Sequence, residues 1–190
     1  MKTQNPHLLS SHGLALIEAH EARRFGIYLC PANKATIGVG HVLLPKFDTA
    51  LFKNMTTSQL TRLINDCQKI DVGQKQGKIT KEASQLLYIN DAQVDQLLSK
   101  DTAQTSLFLN SVARVALNQN QFDALVSFIF NIGQGNYAGS TLRKKLDAGD
   151  YAGAAAEMDK WVYDTVNGKK QKVNGLIKRR ADERALFESL

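Results

Sequence analysis

Cysteine and proline are both scarce: two cysteines, Cys30 and Cys67, and three prolines occur in 190 residues. Two thiols cannot staple a disulfide scaffold, so the chain is expected to fold in a reducing compartment on its apolar core alone. Three prolines exclude a proline-rich linker. No apolar run approaches the roughly 20 residues of a membrane span. The start, Met1 to Ser11, has one lysine but neither an apolar signal core nor a small-residue cleavage site, so no export address is legible. Internal repeats and low-complexity segments are lacking too. With 43% hydrophobic and 22% charged residues the composition excludes disorder. What remains is one globular domain, or two small lobes sharing a core.

The formal net charge is +6, and most of it sits at one end. Residues 169–190 hold seven basic side chains (Lys169, Lys170, Lys172, Lys178, Arg179, Arg180, Arg184) against Asp182, Glu183 and Glu188. Such a patch invites an anionic partner. It also fits an amphipathic helix packed by Leu176, Ile177, Ala181, Ala185 and Leu186, with its charges merely solvated. Nucleic acid is not expected, because no aromatic-interleaved or helix-turn-helix motif accompanies the charge.

The local pattern is mixed. Residues 12–25 read as a first helix, capped by Ser10 or Ser11 and stopped by Gly26. Ile27-Tyr28-Leu29 is β-prone, residues 31–34 carry turn chemistry, and residues 35–42 are β-prone again, with Gly38 and Gly40 on one face. That predicts a hairpin. Thr56 with Gln59 forms a capping box before Leu60, Leu63, Ile64 and Cys67. Residues 43–56 and 69–79 read as irregular, with a short helix at 80–88. From Asn90 the pattern is helical: 91–110, punctuated by Val94, Leu97, Leu98, Leu107 and Phe108, then 119–132, 140–148, 151–162 and 175–188. Asn118, Ser140, Asp150 and Asn174 are the expected caps, and Gly133 and Gly149 the expected stops.

The chemistry concentrates in residues 21–41. Glu21 is expected in the last turn of the first helix, where the partial negative charge of the helix end disfavours a carboxylate and raises its pKa. A protonated glutamic acid is what general-acid catalysis requires. Arg24 would act oppositely if it paired with Glu21. Eight residues separate Glu21 from Cys30, and five separate Cys30 from Thr36.

This Glu-x8-Cys-x5-Thr spacing, continued by Thr36-Ile-Gly-Val-Gly-His41, resembles the phage lysozymes, or endolysins, of glycoside hydrolase family 24. Asn118 to Gly133, Ser140 to Asp150, Trp161 and Gly175 to Arg184 follow the same family order. The resemblance covers about 13–42 and 90–187, with 43–88 fitting loosely.

The resemblance implies an α+β, lysozyme-like fold as a single catalytic domain over 1–190. Its lobes would be a small N-terminal one with a β-hairpin, about 12–89, and a mostly helical one, about 90–190, joined by a long helix. The reaction implied is hydrolysis, with inversion, of the β-1,4 bond between N-acetylmuramic acid and N-acetylglucosamine in peptidoglycan. Glu21 would be the general acid, Cys30 would stand in the family's Asp-or-Cys position, and Thr36 would hold the attacking water. Val42, Phe130, Asn131 and Thr141 would line an open groove between the lobes. No cofactor or metal is implied. The partner is the glycan strand, aided by attraction of the basic C-terminal helix to the anionic bacterial envelope. A monomer is expected, accumulating in the host cytoplasm and reaching the periplasmic wall after release.

Other readings compete. An Asp in place of Cys30 would be ionised at neutral pH, whereas an ordinary thiol is mostly neutral. Cys30 could pair with Cys67 in an oxidising compartment. Glu18 does not fit the spacing. His7, His12, His20 and His41 show no metal-ligand pattern, and a Cys30–His41 peptidase conflicts with the surrounding motif. Phe122 and Phe128 read as core. A lytic transglycosylase using Glu21 alone, or a basic membrane-active or nucleic-acid-binding protein with a vestigial site, are the alternatives.

Overall fold

Capping boxes start three of the helices in the computed structural model, which describes residues 7–30, 34–43, 55–71, 87–166 and 169–189. The Gln59 side chain accepts the Thr56 backbone N–H at 2.8 Å, and the Thr56 hydroxyl oxygen accepts the Gln59 N–H in return, opening α2 (Thr57–Asp71). Asn90 and Gln93 exchange two such bonds of 2.9 Å before α3 (Asp91–Val112). Asn118 and Gln121 do the same for α4 (Gln119–Ile132). Each box satisfies backbone N–H groups that the first helical turn leaves without partners.

The chain divides into two compact units, one of Glu21–Lys100 and one of residues up to His20 together with Asp101 onward. In the first, β1 (Arg24–Leu29), β2 (Ala35–Gly38) and β3 (His41–Val42) form an antiparallel sheet in that order. Thr36 is its central residue, opposite Tyr28 on one side and Val42 on the other. The single second strand expected over 35–42 is corrected to two. Gly40 lies in the turn between them at φ 72°, a conformation that suits glycine. In this unit Ile27, Ile37, Val39, Leu63, Ile89, Val94 and Leu97 are buried. Along α3 the buried stripe runs from Val94, Leu97 and Leu98 through Thr102, Thr105 and Ser106 to Leu109. It bypasses Leu107, which is 67% exposed, contrary to the expected apolar stripe. The buried hydroxyls of Thr105 and Ser106 donate to carbonyls one turn back, at 3.0 and 2.9 Å.

The first helix is also corrected. α1 spans Ser11–His20, not 12–25. Extended pairing claims the residues beyond it: Arg24 opposes Gly38, Gly26 bridges Tyr88, and the Ile89 N–H donates to the Phe25 carbonyl at 2.9 Å. Arg23 reaches Asp91 and Asp95 in the acidic first turns of α3, both at 2.8 Å.

In the second unit α1 docks on α4 through Asp123. That fully buried carboxylate accepts the Ser10 N–H at 3.1 Å, the Ser10 hydroxyl and the Gln119 amide at 2.8 Å. Ser10 in turn caps α1 at the N–H groups of His12 and Gly13. A side chain at Gly13 would place its Cβ 2.7 Å from the Asp123 carboxyl carbon, so glycine permits this approach. Residues 122–129 of α4 are all buried, which makes it the core helix of this unit.

After Gly133 comes a short helix absent from the sequence reading, α5 (Gln134–Gly139). α6 (Thr141–Asp147) is capped by Ser140, and α7 (Tyr151–Met158) by Asp150. α7 stops four residues before its expected end. β4 (Tyr163–Val166) and β5 (Lys169–Lys172) then form an antiparallel hairpin where no element was expected, and α8 (Asn174–Glu188) closes the chain. Val173, not Asn174, occupies the cap position of α8, without a side-chain bond. The helix expected at 80–88 lies outside the described residues except for Leu87 and Tyr88, which are not helical.

The largest correction concerns which face α8 buries. Of the expected packing residues Leu186 is buried and Leu176 half-buried, but Ile177, Ala181 and Ala185 are exposed, and Arg179, Arg180, Glu183 and Phe187 are buried in their place. Glu183 binds Arg179 at 3.0 Å and Arg180 at 2.9 Å, and accepts the Ser127 hydroxyl of α4 at 2.7 Å. Arg180 also lies 4.7 Å from the centre of the Phe128 ring, a cation–π contact. Burial pushes the Glu183 carboxyl up, against the pull of Arg180 and Arg179.

Glu157 in α7 joins two lysines, Lys145 of α6 at 2.7 Å and Lys160 at 2.8 Å. The bonds from Lys145 and Lys160 hold its carboxyl below the usual carboxylate range. A depressed folded pKa stabilises above the unfolded value of about 4.3 and ceases to do so as pH falls through the folded value. The melting temperature of Glu157→Gln is therefore expected below that of the parent near neutrality. The gap should narrow as pH falls below that unfolded value and close once it passes the folded one, as melts in a pH series would read.

Candidate active site

Four sequence-expected residues, Glu21, Cys30, Thr36 and Val42, fall within the unit that holds the three-stranded sheet. Glu21 follows the last residue of α1 and is half-buried. Its expected place inside a last helical turn is thus corrected by one residue beyond the helix end. The Arg24 guanidinium stands over the Tyr28 ring, 5.3 Å from its centre.

Cys30 and Thr36 are tied to one acceptor. The Lys34 carbonyl accepts the Cys30 N–H at 3.0 Å and the Thr36 hydroxyl at 2.9 Å. Thr36 is fully buried, with its hydroxyl proton committed to that carbonyl and the oxygen lone pairs left to accept. Cys30 is a free, half-buried thiol. The Cys67 side chain and the turn residues 31–33 lie outside the described residues.

Tyr28 is the residue the sequence reading missed. It opposes Thr36 in the sheet, and its phenol is half-buried. Burial raises its pKa, the Gly40 backbone lowers it, and the nearness of Glu21 and Cys30 raises it further. A phenol that senses both groups belongs to their surroundings. The signal was available: on an alternating strand, residues two apart share a face, and Tyr28 stands two before Cys30.

Phe130, Asn131 and Thr141 fall in the other unit, at the C-terminal end of α4 and the start of α6. Phe130 is half-buried and the other two are exposed. Asn131 accepts from the Arg180 guanidinium at 3.0 Å, so the buried charge cluster holds its amide. Among the described residues no group of His, Cys, Asp and Glu is arranged to hold a metal ion. His20 meets Asp182 of α8 at 3.0 Å, and His41 sits in β3 opposite Ile37.

An endolysin of Acyrthosiphon pisum secondary endosymbiont phage 1 is 38% identical over 181 residues, 95% of this chain and 98% of its own length. The solved endolysin of Escherichia coli O157:H7 phage FAHEc1 superposes with a TM-score of 0.70 at 30% identity, covering 97% of this chain and 96% of that one. The muramidase domain of SpmX from Asticaccaulis excentricus does so with a TM-score of 0.70 at 27% identity, covering 97% and 99%. The α+β architecture is accordingly lysozyme-like. A family model described as phage lysozyme matches residues 18–183, and the chain belongs to that family.

Proposed function

We propose that this chain is an endolysin, a muramidase that hydrolyses the β-1,4 bond between N-acetylmuramic acid and N-acetylglucosamine in peptidoglycan. The observation that carries the reading is the Glu21, Cys30, Thr36 set at family spacing, with Cys30 and Thr36 on the shared Lys34 carbonyl. Glu21 protonates the leaving glycosidic oxygen. Water, oriented by a hydrogen bond to the Thr36 oxygen, attacks the anomeric carbon from the opposite face as the glycosidic bond breaks; its excess proton is released to solvent, from which the Glu21 carboxylate is reprotonated. Cys30 supports that water or the positive charge on the sugar from the position where the family carries Asp or Cys. Val42, Phe130, Asn131 and Thr141 contact the glycan. The two units act as one catalytic domain, and the enzyme works as a monomer without cofactor.

No helix among the described residues is long and apolar enough to cross a membrane. In this reading the enzyme accumulates in the host cytoplasm and acts on the periplasmic wall after release. The test is the mass of the products from purified walls. Hydrolysis leaves a hydrated reducing end. An anhydro sugar, lighter by one water, would instead assign the transglycosylase reaction.

A further inference from the structure

The structure redistributes the basic C-terminal charge. Arg179 and Arg180 are buried on Glu183, and Arg184 is paired with Asp159 and Glu188. Lys169, Lys170, Lys172 and Lys178 remain exposed, and three of these four lie on the single strand β5. In the ladder Tyr163 opposes Lys172 and Thr165 opposes Lys170, so these four side chains share one face of the hairpin. The Lys170 and Lys172 ammoniums stand 5.3 and 5.8 Å from the centre of the Tyr163 ring, which is 45% exposed. Asp164, the one acid in residues 163–172, alternates to the opposite face, where its carboxylate accepts the Thr165 N–H at 2.7 Å. Among the described residues neither Lys170 nor Lys172 has a carboxylate partner.

An exposed ring flanked by two ammoniums is suited to a polymer bearing both sugar faces and acids. The ring offers a flat apolar surface to a pyranose, and the ammoniums offer charge-assisted bonds to carboxylates. A two-stranded ribbon, with strands about 4.8 Å apart, presents a narrow edge that matches one extended chain better than a plane of headgroups.

We propose that the Tyr163–Lys170–Lys172 face is an accessory binding site for peptidoglycan, taking its glycan face and its stem-peptide carboxylates. The proposal rests on the muramidase reading for its choice of polymer. The site adds retention on the wall and takes no part in bond cleavage.

The test is sedimentation of the protein with purified sacculi, in a Glu21→Gln background so that the wall stays intact. Adding Lys170→Glu and Lys172→Glu should weaken retention roughly tenfold at low salt, and Tyr163→Ala should weaken it on its own. At about 0.5 M salt, where screening shortens to a few ångströms, parent and double variant should converge. Sacculi whose carboxylates have been converted to neutral amides should hold the parent no better than the double variant. Thermal melts report folding, and Lys170→Gln with Lys172→Gln serves if the reversal variant does not fold. Retention unchanged by either pair overturns the proposal. So does an equal loss on amidated sacculi, or a defect seen only with anionic phospholipid vesicles. Failure of the muramidase reading is read separately, from the products that the unmodified enzyme releases.

Discussion

Replacing Glu21 by Gln is expected to abolish clearing of purified cell walls, with a rate loss of about 10²–10⁴-fold, the range of a general acid. Gln preserves shape and hydrogen bonding but has no proton to give to the leaving oxygen. The protein should otherwise melt as before, because Glu21 lies beyond α1 and is only half-buried. A turbidity assay beside a melting curve separates lost chemistry from lost fold. Wall lysis that survives the substitution would sink the glycosidase assignment and leave a membrane-active protein with a vestigial site. Cys30 divides the mechanism further. Cys30→Ala should fall about tenfold or more, as loss of a preorganised polar group does, and Cys30→Asp should retain activity. Full activity in the Ala variant would remove Cys30 from the mechanism.

The largest effect on stability is expected at Glu183. Glu183→Ala leaves Arg179 and Arg180 in a buried site without their carboxylate, and Ser127 without its acceptor. Breaking a buried pair from one side costs about 3–5 kcal/mol, about 6–20 °C in melting temperature for a chain of this size. Replacing Arg179, Arg180 and Glu183 together by Met, Met and Leu should restore much of the loss, because no unpaired charge remains. A triple variant as unstable as the single one would show that geometry, not charge balance, governs the site. The cluster also holds the Asn131 amide through Arg180, so the single variant should impair wall binding at temperatures where it is still folded.

The physics explains which of these features could be read from residues alone. The capping box at Thr56 and the cap at Asn118 are local, needing only four consecutive residues, and both stand where expected. The Glu21, Cys30, Thr36 spacing was equally legible because two of its three members are set within one hairpin. The end of α1 was not, since Phe25 and Gly26 are drawn into extended pairing by Ile89 and Tyr88, more than sixty residues away. Nor was the buried face of α8. Hydrophobic periodicity selects Ile177, Ala181 and Ala185, and has no means of nominating two arginines and a glutamate whose burial depends on Ser127 and Phe128 of another helix. Tyr28 was missed for a different reason: strand alternation pointed to it, yet its significance depends on where Glu21 ends up.

The Lys34 carbonyl gives the interval between Cys30 and Thr36 a meaning beyond counting. Two donors, the Cys30 N–H and the Thr36 hydroxyl, meet on one main-chain oxygen, which every amino acid possesses. The distance along the chain is therefore enforced by the size of a hydrogen-bonded ring, and the identity of residue 34 is irrelevant to closing it. Inserting or deleting one residue between 30 and 34 would alter that ring and with it the placing of Cys30 against Thr36, whereas the carbonyl that closes it is there whichever residue stands at 34. A signature of this kind is conveyed by intervals with free letters between them, because its recognition is performed by the backbone.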